Sequence, residues 1–276
     1  MTVPARSRPT IGAMIIARNG EDLIADCLAS IAWMDEIIVL DNNSEDGTRS
    51  IAAGYGAQVI VERQWHGFGP QRRLAQTYAT ADWLFWIDVD ERMSPALTQR
   101  LQELLADPAL DPDLAYSVPR ATDFFGRTMR HGGWYPNRVV RFHHRLRYQY
   151  NEARIHEKLD VPSAKVRPLA EDLIHLTTEH FDAYLKKSVS YADTWARERA
   201  RQGEQTSVAA ILLRSLAAFL NKYVVQAGFL DGRHGLLLSI QSSHYVFNKY
   251  LGLWIYGHGF RPIAPDREPT DNKPLT

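Results

Sequence analysis

The first hundred residues alternate between short apolar runs and longer stretches in which apolar residues recur at helical spacing. Short apolar runs bounded by polar turns are typical of buried β-strands, and a three-to-four-residue repeat is typical of amphipathic helices. The pattern predicts strands over Ile11–Ala17, Glu36–Leu40, Gln58–Val61 and Trp83–Ile87. It predicts helices over Glu21–Ala32, from the polar turn at 41–48 through Tyr55, over Gln71–Ala79 and over Pro95–Ala106, the last capped by Ser94. This alternation predicts an α/β fold with a mostly parallel sheet flanked by helices.

Beyond a linker at Asp107–Leu114 the pattern changes. Shorter strands rich in arginine and aromatic residues are predicted over Tyr116–Pro119, Arg138–Phe142, Tyr148–Tyr150 and Leu173–Leu176, followed by helices over Phe181–Gln202, Val208–Gln226 and His234–Tyr256. We therefore expect one α/β domain over 1–178, with a first half at 10–106 and a second at 115–178. A C-terminal helical extension over 179–260 and a disordered, proline-rich and charged tail over 261–276 complete the expected organisation.

Polar side chains follow three of the predicted strands. Arg18 and Asn19 come after the first strand, Asp41 ends the second, and Asp88 with Asp90 follows the fourth. Because the carboxyl ends of parallel strands meet at one edge of a sheet, we expect these groups to converge where such sheets bind ligands.

The segment Asp88-Val89-Asp90 is the most informative of these clusters. Two carboxylates one residue apart, just past a buried strand, form a hard-oxygen site suited to Mg²⁺ or Mn²⁺ carrying a diphosphate. An Asp-x-Asp in a surface turn is usually only a solvated loop, so its position after the fourth strand is what favours a metal site.

Composition and charge narrow the choice of ligand. The 276 residues are 45% hydrophobic and carry 32 basic and 32 acidic side chains, so the whole chain gives no indication of nucleic-acid binding. However, the segment from Phe124 to Asn151 contains no acidic residue and carries Arg127, Arg130, Arg138, Arg141, Arg145 and Arg147. These arginines predict a positive surface for phosphate or carboxylate ligands, with pairing to acids elsewhere in the chain as the alternative.

The remaining signals concern the compartment. Cys27 is the only cysteine and is predicted to be a buried, inert thiol, which is compatible with a reducing compartment. The polar segment Met1–Thr10 is not typical of a secretory signal. No uninterrupted apolar run reaches the roughly 18–20 residues of a membrane span, since Arg214 interrupts the nearest candidate, Val208–Leu220. We expect a cytoplasmic protein.

Several motifs together resemble a known family. They are MIIARNGEDLIADCLASI, DEIIVLDNNSEDGT, HGFGPQRRLA, DWLFWIDVDERMSPAL, GRTMRHGGWYPNRVVRF, ARIHEKL and GFLDGRHGLLLS. In these motifs the chain resembles the family 2 inverting glycosyltransferases of GT-A fold, and within them the group that adds a β-1,4-linked glucose to the lipopolysaccharide core. The resemblance implies a GT-A, Rossmann-like catalytic domain whose halves bind the nucleotide-sugar and the acceptor.

The resemblance also implies roles for the polar residues at the sheet edge. Asp90, with Asp88, would bind the divalent metal, with His175 as a third ligand and His156 as its competitor. Arg18, Asn19, Asp41 and Asp88 would bind the nucleotide-sugar, and Arg72 would reach its diphosphate. The alternatives stay open: Asp41 as a turn residue, Arg72 as an exposed helix arginine and His175 as a core residue.

On the acceptor side, the resemblance implies that Glu157 is the catalytic base. Its alternative is a structural ion pair with an arginine. Trp134 and Tyr135 offer flat faces for a sugar ring, and Arg130, Gly133 and Arg138 complete the implied acceptor site.

The implied partners are a UDP-sugar donor and an anionic glycolipid acceptor, the lipopolysaccharide inner core. Since that acceptor is anchored in a membrane, the apolar C-terminal helices are expected to attach peripherally to the inner leaflet, on the cytoplasmic face of the inner membrane. A packed helix pair or a homo-oligomer contact is the alternative. The rival functions are a nucleotidyltransferase, disfavoured because Ile15–Asn19 lacks a glycine-rich run, and a sugar-nucleotide-binding protein without turnover.

Overall fold

The structure, a computed structural model, describes residues 8–153, 157–176 and 181–259, apart from the side chain of Ala183. The predicted tail at 261–276 and the candidate ligand His156 lie outside the described residues.

The first part of the chain has the predicted alternation of strands and helices. In order, its elements are β1 (Ile11–Ala17), α1 (Glu21–Ile31), β2 (Glu36–Asp41), α2 (Thr48–Gly54), β3 (Gln58–Val61), α3 (Phe68–Thr77), β4 (Trp83–Trp86), β5 (Glu91–Met93) and α4 (Pro95–Ala106). The Ser94 side chain accepts a hydrogen bond from the Leu97 backbone and so caps α4 as predicted. Strand β5 was not predicted, because three residues are too few to show a periodicity.

The second part contains short strands followed by long helices. Its elements are β6 (Ala115–Asp123), β7 (Asn137–His144), β8 (Val166–Pro168), β9 (Leu173–Leu176), α5 (Phe181–Arg201), α6 (Val208–Leu220) and α7 (Gly232–Gly257). A π-helical turn over Asn221–Val225 and a 3-10 turn over Gly228–Asp231 connect α6 to α7. The predicted strand at Tyr148–Tyr150 is wrong. Tyr150 forms only an isolated bridge with Leu159, and its ring packs against Trp86, so its aromatic character reflects burial and not strand pairing.

The strands form one sheet in the order β3-β2-β1-β4-β7-β6-β9-β5, with β8 paired to β6. The half built from β3, β2, β1 and β4 is parallel, whereas β7 is antiparallel to both β4 and β6. In the parallel half Ile15 lies opposite Val39 and Met14 opposite Trp86. This register places the ends of β1, β2 and β4 at the same edge.

The two faces of this sheet bury separate apolar layers. Ile15 faces the layer that includes Leu28 of α1 and Leu101 of α4, whereas its neighbour Met14 faces the layer that includes Ala75 of α3. Successive residues of a strand point to opposite faces, so helices on both sides are needed to bury β1. The expected α/β fold is thereby confirmed.

The chain divides into two compact units. Unit 1 comprises the chain up to Ala121 together with Asn137–His175, and contains most of the sheet and α1 to α4. Unit 2 comprises Thr122–Pro136 and the chain from Leu176, and contains α5, α6 and α7. Within unit 2, Phe124, Met129 and Leu238 form a small core. The segment 122–136 therefore lies with the C-terminal helices, although it falls between two strands of the sheet in the sequence.

One helical stretch of the described chain is long and apolar enough to cross a membrane by length and composition. It runs from Val208 to Val225, with a mean hydropathy of 1.6, and very little of it is buried. The expectation that no segment meets this requirement was too strict. Arg214 and Lys222 lie inside the stretch without reducing its mean below that of candidate spans.

Gly69 in α3 provides a test of the packing in unit 1. An added Cβ would lie 2.7 Å from the Ala153 carbonyl oxygen and would overlap that of Asn151. We expect Gly69→Ala to lower the free energy of unfolding by about 1–3 kcal/mol in urea denaturation, because overpacking displaces the backbone at 151–153. Gly54→Ala is the matched control, since its Cβ would meet nothing within 4 Å. Equal stability of the two variants would contradict this packing.

Candidate active site

The loops after β1 and β2 are joined by direct hydrogen bonds. The Asn19 backbone donates to Ser44 Oγ at 2.9 Å, and Asn19 Oδ1 accepts from the Glu45 backbone at 2.9 Å. Gln71 of α3 donates to Asn42 Oδ1 at 2.8 Å, which brings α3 to the same edge. The predicted convergence of polar groups at this edge is therefore present in unit 1.

Asp41 shapes the turn that follows β2. Its carboxylate is fully buried and accepts hydrogen bonds from the backbone and the hydroxyl group of Ser44, while Arg49 Nε lies 3.9 Å away. The carboxylate is thus already occupied within its own turn. Arg18, by contrast, is only half-buried at the end of β1.

Arg72 occupies the centre of the site and is not an exposed helix arginine. Its side chain is 5% exposed, and its guanidinium lies 5.0 Å from the ring centroids of both Trp86 and Tyr150. Nη2 donates to Asp88 at 3.0 Å and Nε donates to Glu157 at 3.0 Å. A single guanidinium therefore joins the first aspartate of the Asp-x-Asp segment to the candidate base.

A second buried arginine holds the same segment from β7. Arg141 Nη2 donates to Asp88 at 2.6 Å and to Glu91 at 2.8 Å. Glu91 is fully buried, accepts from the Asp88 backbone at 2.9 Å and has Arg120 Nη1 3.7 Å away. Because both Asp88 oxygens are bound by guanidinium groups, the turn after β4 is fixed at its first residue.

The charges in this network change the pKa values of its members. Burial alone would raise the pKa of Asp88, but Arg141 and Arg72 outweigh it and hold that pKa well below its usual range. Burial raises the pKa of Glu91, an effect that Arg141 opposes. Asp88 therefore stays ionised throughout the physiological range, as a buried pair with two arginines requires.

Asp90 lies apart from these arginine contacts and beside a histidine. Its Oδ2 is 3.5 Å from Nε2 of His175, and both side chains are partly exposed. His175 is placed by the pairing of β9 with β5, in which it lies opposite Glu91. The structure thus brings together Asp90 and His175 but gives Asp88 different partners.

These residues fit a divalent ion only as an open site. No group of three or more histidine, cysteine or acidic side chains suited to holding a metal occurs within residues 8–153, 157–176 and 181–259. Asp90 and His175 offer one carboxylate and one imidazole, both acceptable ligands for Mn²⁺ or Mg²⁺. A metal here would need further oxygens from a diphosphate and water, which is how Mg²⁺ is commonly bound.

The arginines of the 124–151 segment do not form the expected common positive surface. Arg141 is buried against Asp88 and Glu91, and Arg147 pairs with Asp113 at 3.0 Å. Arg138 and Arg145 donate to the carbonyl oxygens of Leu169 and Ala81, each at 2.8 Å. The alternative, pairing with groups elsewhere in the chain, describes these four side chains better.

The candidate acceptor loop lies in unit 2, apart from Arg138, which lies in unit 1. Asp231 accepts hydrogen bonds from the His131 backbone at 2.8 Å and from its Nδ1 at 3.0 Å. Arg130 lies 4.4 Å from the ring centroid of Tyr135. Gly133 has a φ of +73°, and a Cβ there would overlap the Gln226 side chain, so this turn requires glycine. Trp134 packs against the core of unit 2.

Two residues that organise these sites, Arg141 and Glu91, were not assigned such roles from the sequence. Arg141 was counted among surface arginines, because its burial depends on the pairing of β7 with β4. Glu91 follows Asp90 directly, yet nothing in the local sequence shows that it points into the core. An acidic residue at the end of an apolar strand was the only available signal.

The sheet order and the loops that meet at its edge define the GT-A class of α/β fold. A mannosyltransferase from Pyrobaculum calidifontis, solved with GDP-mannose and Mn²⁺, has a similar structure, with a TM-score of 0.50 at 15% identity over 89% of this chain and 87% of that one. At this identity the likeness concerns the fold alone.

The family follows from sequence comparison. The family model for glycosyl transferase family 2 matches residues 13–167, more than half of the chain. The chain therefore belongs to glycosyl transferase family 2 and is a glycosyltransferase. It is also 27% identical over 256 residues to an uncharacterized glycosyltransferase of Rickettsia felis, covering 88% of both chains. With the lipopolysaccharide core biosynthesis glycosyltransferase LpsC of Rhizobium meliloti it shares 26% identity over 244 residues, covering 86% of this chain and 89% of LpsC.

The buried arginine network generates a stability prediction. Arg141→Met leaves Glu91 buried without its closest cation, so we expect a loss of about 3–5 kcal/mol in the free energy of unfolding, measured in urea. Arg147→Met is the control, because both members of its ion pair with Asp113 are about half exposed. Such exposed pairs contribute about 0–1 kcal/mol. A loss of similar size in both variants would argue against a structural role for Arg141.

Asp231 generates a prediction that depends on pH. Burial would raise its pKa, but the hydrogen bonds from His131 and Arg130 lower it below the usual value. A carboxylate with a depressed pKa stabilises the fold at neutral pH, and this contribution is lost as the pH falls through that pKa. We expect Asp231→Asn to cost roughly 1–3 kcal/mol at neutral pH, with a difference from the parent that narrows in acid. Thermal unfolding across this range tests it, with the exposed Asp182→Asn as control; a pH-independent difference would contradict it.

Proposed function

We propose that this glycosyltransferase moves a hexose, glucose in our proposal, from a UDP-sugar to a lipopolysaccharide-core or related glycolipid acceptor, with inversion at the anomeric carbon. The similarity to LpsC over most of both chains supports an acceptor of the lipopolysaccharide class. The sequence motifs that resemble the core glucosyltransferases support the donor sugar and the inverting outcome.

The observation that carries the proposal is the position of Arg72 between Asp88 and Glu157. Each carboxylate lies 3.0 Å from one guanidinium, so the candidate base lies within one side chain of the Asp-x-Asp segment. Arg72 Nη1 is buried and has no hydrogen-bond partner among the described residues. That atom is a donor that a diphosphate oxygen could accept from without displacing either carboxylate.

In this proposal Asp90 and His175 hold a divalent metal together with the donor diphosphate, and Asp88 orients the turn that carries Asp90. When bound, a Mg²⁺ or Mn²⁺ ion offsets the negative charge of the departing nucleoside diphosphate as a Lewis acid. The candidate site for the donor base and ribose is the edge formed by Arg18, Asn19 and the Asp41 turn.

Glu157 acts in the proposal as the general base. It removes the proton of the acceptor hydroxyl group as that oxygen forms its bond to the anomeric carbon. The bond from the anomeric carbon to the diphosphate oxygen breaks on the opposite face, and the electron pair leaves with the nucleoside diphosphate. Glu157 is only partly buried and is oriented by Arg72, which suits a carboxylate that must meet an incoming acceptor.

The proposal places the enzyme in the cytoplasm, attached peripherally to the inner membrane where a glycolipid acceptor would be anchored. The candidate acceptor loop with Arg130, Gly133, Trp134 and Tyr135 offers aromatic and cationic groups for an anionic sugar. A homo-oligomer through the C-terminal helices is the alternative use of those helices.

Two substitutions separate binding of the donor from transfer. We expect Asp90→Ala to weaken metal-dependent binding of UDP-glucose, because it removes the carboxylate ligand of the proposed ion. We expect Glu157→Gln to keep that binding and to lose transfer by roughly 10²–10⁴-fold, the usual contribution of a general base. Calorimetric titration with and without Mn²⁺, and release of UDP in the presence of acceptor, measure the two effects.

Matched controls are available in the same unit. Asp26→Ala and Glu152→Gln change exposed carboxylates of the same types and should leave both readings unchanged. Equal affinity of parent and Asp90→Ala for the donor would remove the metal assignment. Full transfer by Glu157→Gln would remove the base. Transfer to a protein or polysaccharide, but not to a glycolipid, would replace the proposed acceptor.

A further inference from the structure

We propose that unit 2 docks on an anionic lipid bilayer through an exposed apolar surface, with α6 lying in the plane of the membrane. We define this lipid face as Leu212, Leu213, Leu216, Val225, Phe229 and Leu230. The inference deepens the proposed function, on which its account of the acceptor rests, but docking itself can be measured without any sugar transfer.

The lipid face is apolar and exposed on consecutive elements of unit 2. Leu213 is 66% exposed on α6, Val225 is 77% exposed in the π-helical turn and Leu230 is 56% exposed in the 3-10 turn. The two turns are in contact, since the ring of Tyr223 packs edge-on against that of Phe229. Large exposed apolar surfaces of this kind mark interaction sites in soluble proteins.

The opposite side of α6 is fixed to α7, so α6 presents only one side outward. Ile211 and Ser215 are buried, and Ser243 Oγ of α7 donates to the Ser215 carbonyl oxygen at 2.7 Å. Arg214 Nη1 donates to the Tyr250 hydroxyl at 2.9 Å. A helix held along one side with an apolar outer side is suited to the interfacial plane. A spanning arrangement would place Arg214 and Lys222 inside the hydrocarbon, which is costly.

Charge favours a lipid surface over a second copy of this chain. Between Gln205 and Gly259 the basic residues are Arg214, Lys222, Arg233 and Lys249, whereas the single acidic residue is Asp231. Asp231 is 3% exposed and is engaged by His131. The surface around the lipid face therefore carries cations without exposed carboxylates, which complements anionic headgroups. A two-fold contact between copies would instead bring like charges together.

The lipid face is connected to the candidate acceptor loop. Asp231 directly follows Leu230 and accepts the hydrogen bonds from His131, and the Gly132 backbone donates to the Gln226 carbonyl oxygen at 2.8 Å. The loop at 131–136 is thus held by the same turns that carry Val225, Phe229 and Leu230. Docking would present this loop to a glycolipid in the bilayer that the lipid face contacts.

Vesicle co-sedimentation of the full chain tests the proposal. We expect binding to vesicles containing phosphatidylglycerol, much weaker binding to phosphatidylcholine vesicles, and release by alkaline carbonate. The double variant Leu213→Gln/Leu216→Gln should reduce partitioning roughly tenfold or more, since each leucine loses most of its apolar contact. Leu146→Gln is the control, because Leu146 is 73% exposed but lies in unit 1.

Leu213→Trp adds a direct reading, because an indole that enters the interface shifts its emission to shorter wavelength when anionic vesicles are added. No shift, equal partitioning of the double variant and the control, or resistance to carbonate would each overturn docking in the membrane plane. A dimer in lipid-free solution that the double variant dissociates would assign the face to a second copy instead.

The two proposals fail differently. If docking is wrong but the proposed function is right, the parent stays in the supernatant yet releases UDP from UDP-glucose with a detergent-dispersed acceptor. If the proposed function is wrong, the vesicles bind the chain but UDP-glucose is not turned over.

Discussion

The candidate active site depends on one constraint: two buried guanidinium groups must both be neutralised at the end of β4. Arg72 enters from α3 and Arg141 from β7, and Asp88 is the carboxylate that they share. Removing a partner from such a buried pair is costly because an uncompensated charge remains. The constraint therefore fixes the turn after β4 and the sides from which α3 and β7 approach it.

A consequence is that the two aspartates of the Asp-x-Asp segment are not equivalent. Asp88 is held by arginines and cannot leave them without exposing buried charge, whereas Asp90 lies beside His175 and is partly exposed. Glu91 continues the network inward, since it accepts from the Asp88 backbone. A rigid residue at the first position thus presents an adaptable one at the second, as binding groups need when a supporting shell locks them.

The sequence alone predicted the parts of the fold that are determined locally. β1, β3 and α4 have a strong periodicity, and the cap of α4 at Ser94 is a local interaction. β5 was missed because its existence depends on pairing with β9, which follows about eighty residues later. Arg141 was placed on a surface for the same kind of reason, because composition cannot show which side of β7 faces Asp88. The convergence of the polar loops was predictable because parallel strands share an edge.

The helices of unit 2 illustrate how one residue can serve two structural purposes. Asp231 ends the 3-10 turn before α7 and also binds the backbone of the loop at His131, far away in the sequence. An unpaired carboxylate would be unfavourable at a 3% exposed position, so the loop and the turn stabilise each other. Since Phe229 and Leu230 immediately precede Asp231, the carboxylate that holds the loop also limits how those exposed side chains can move. The conformation of the loop and the shape of the lipid face are therefore set by the same contact.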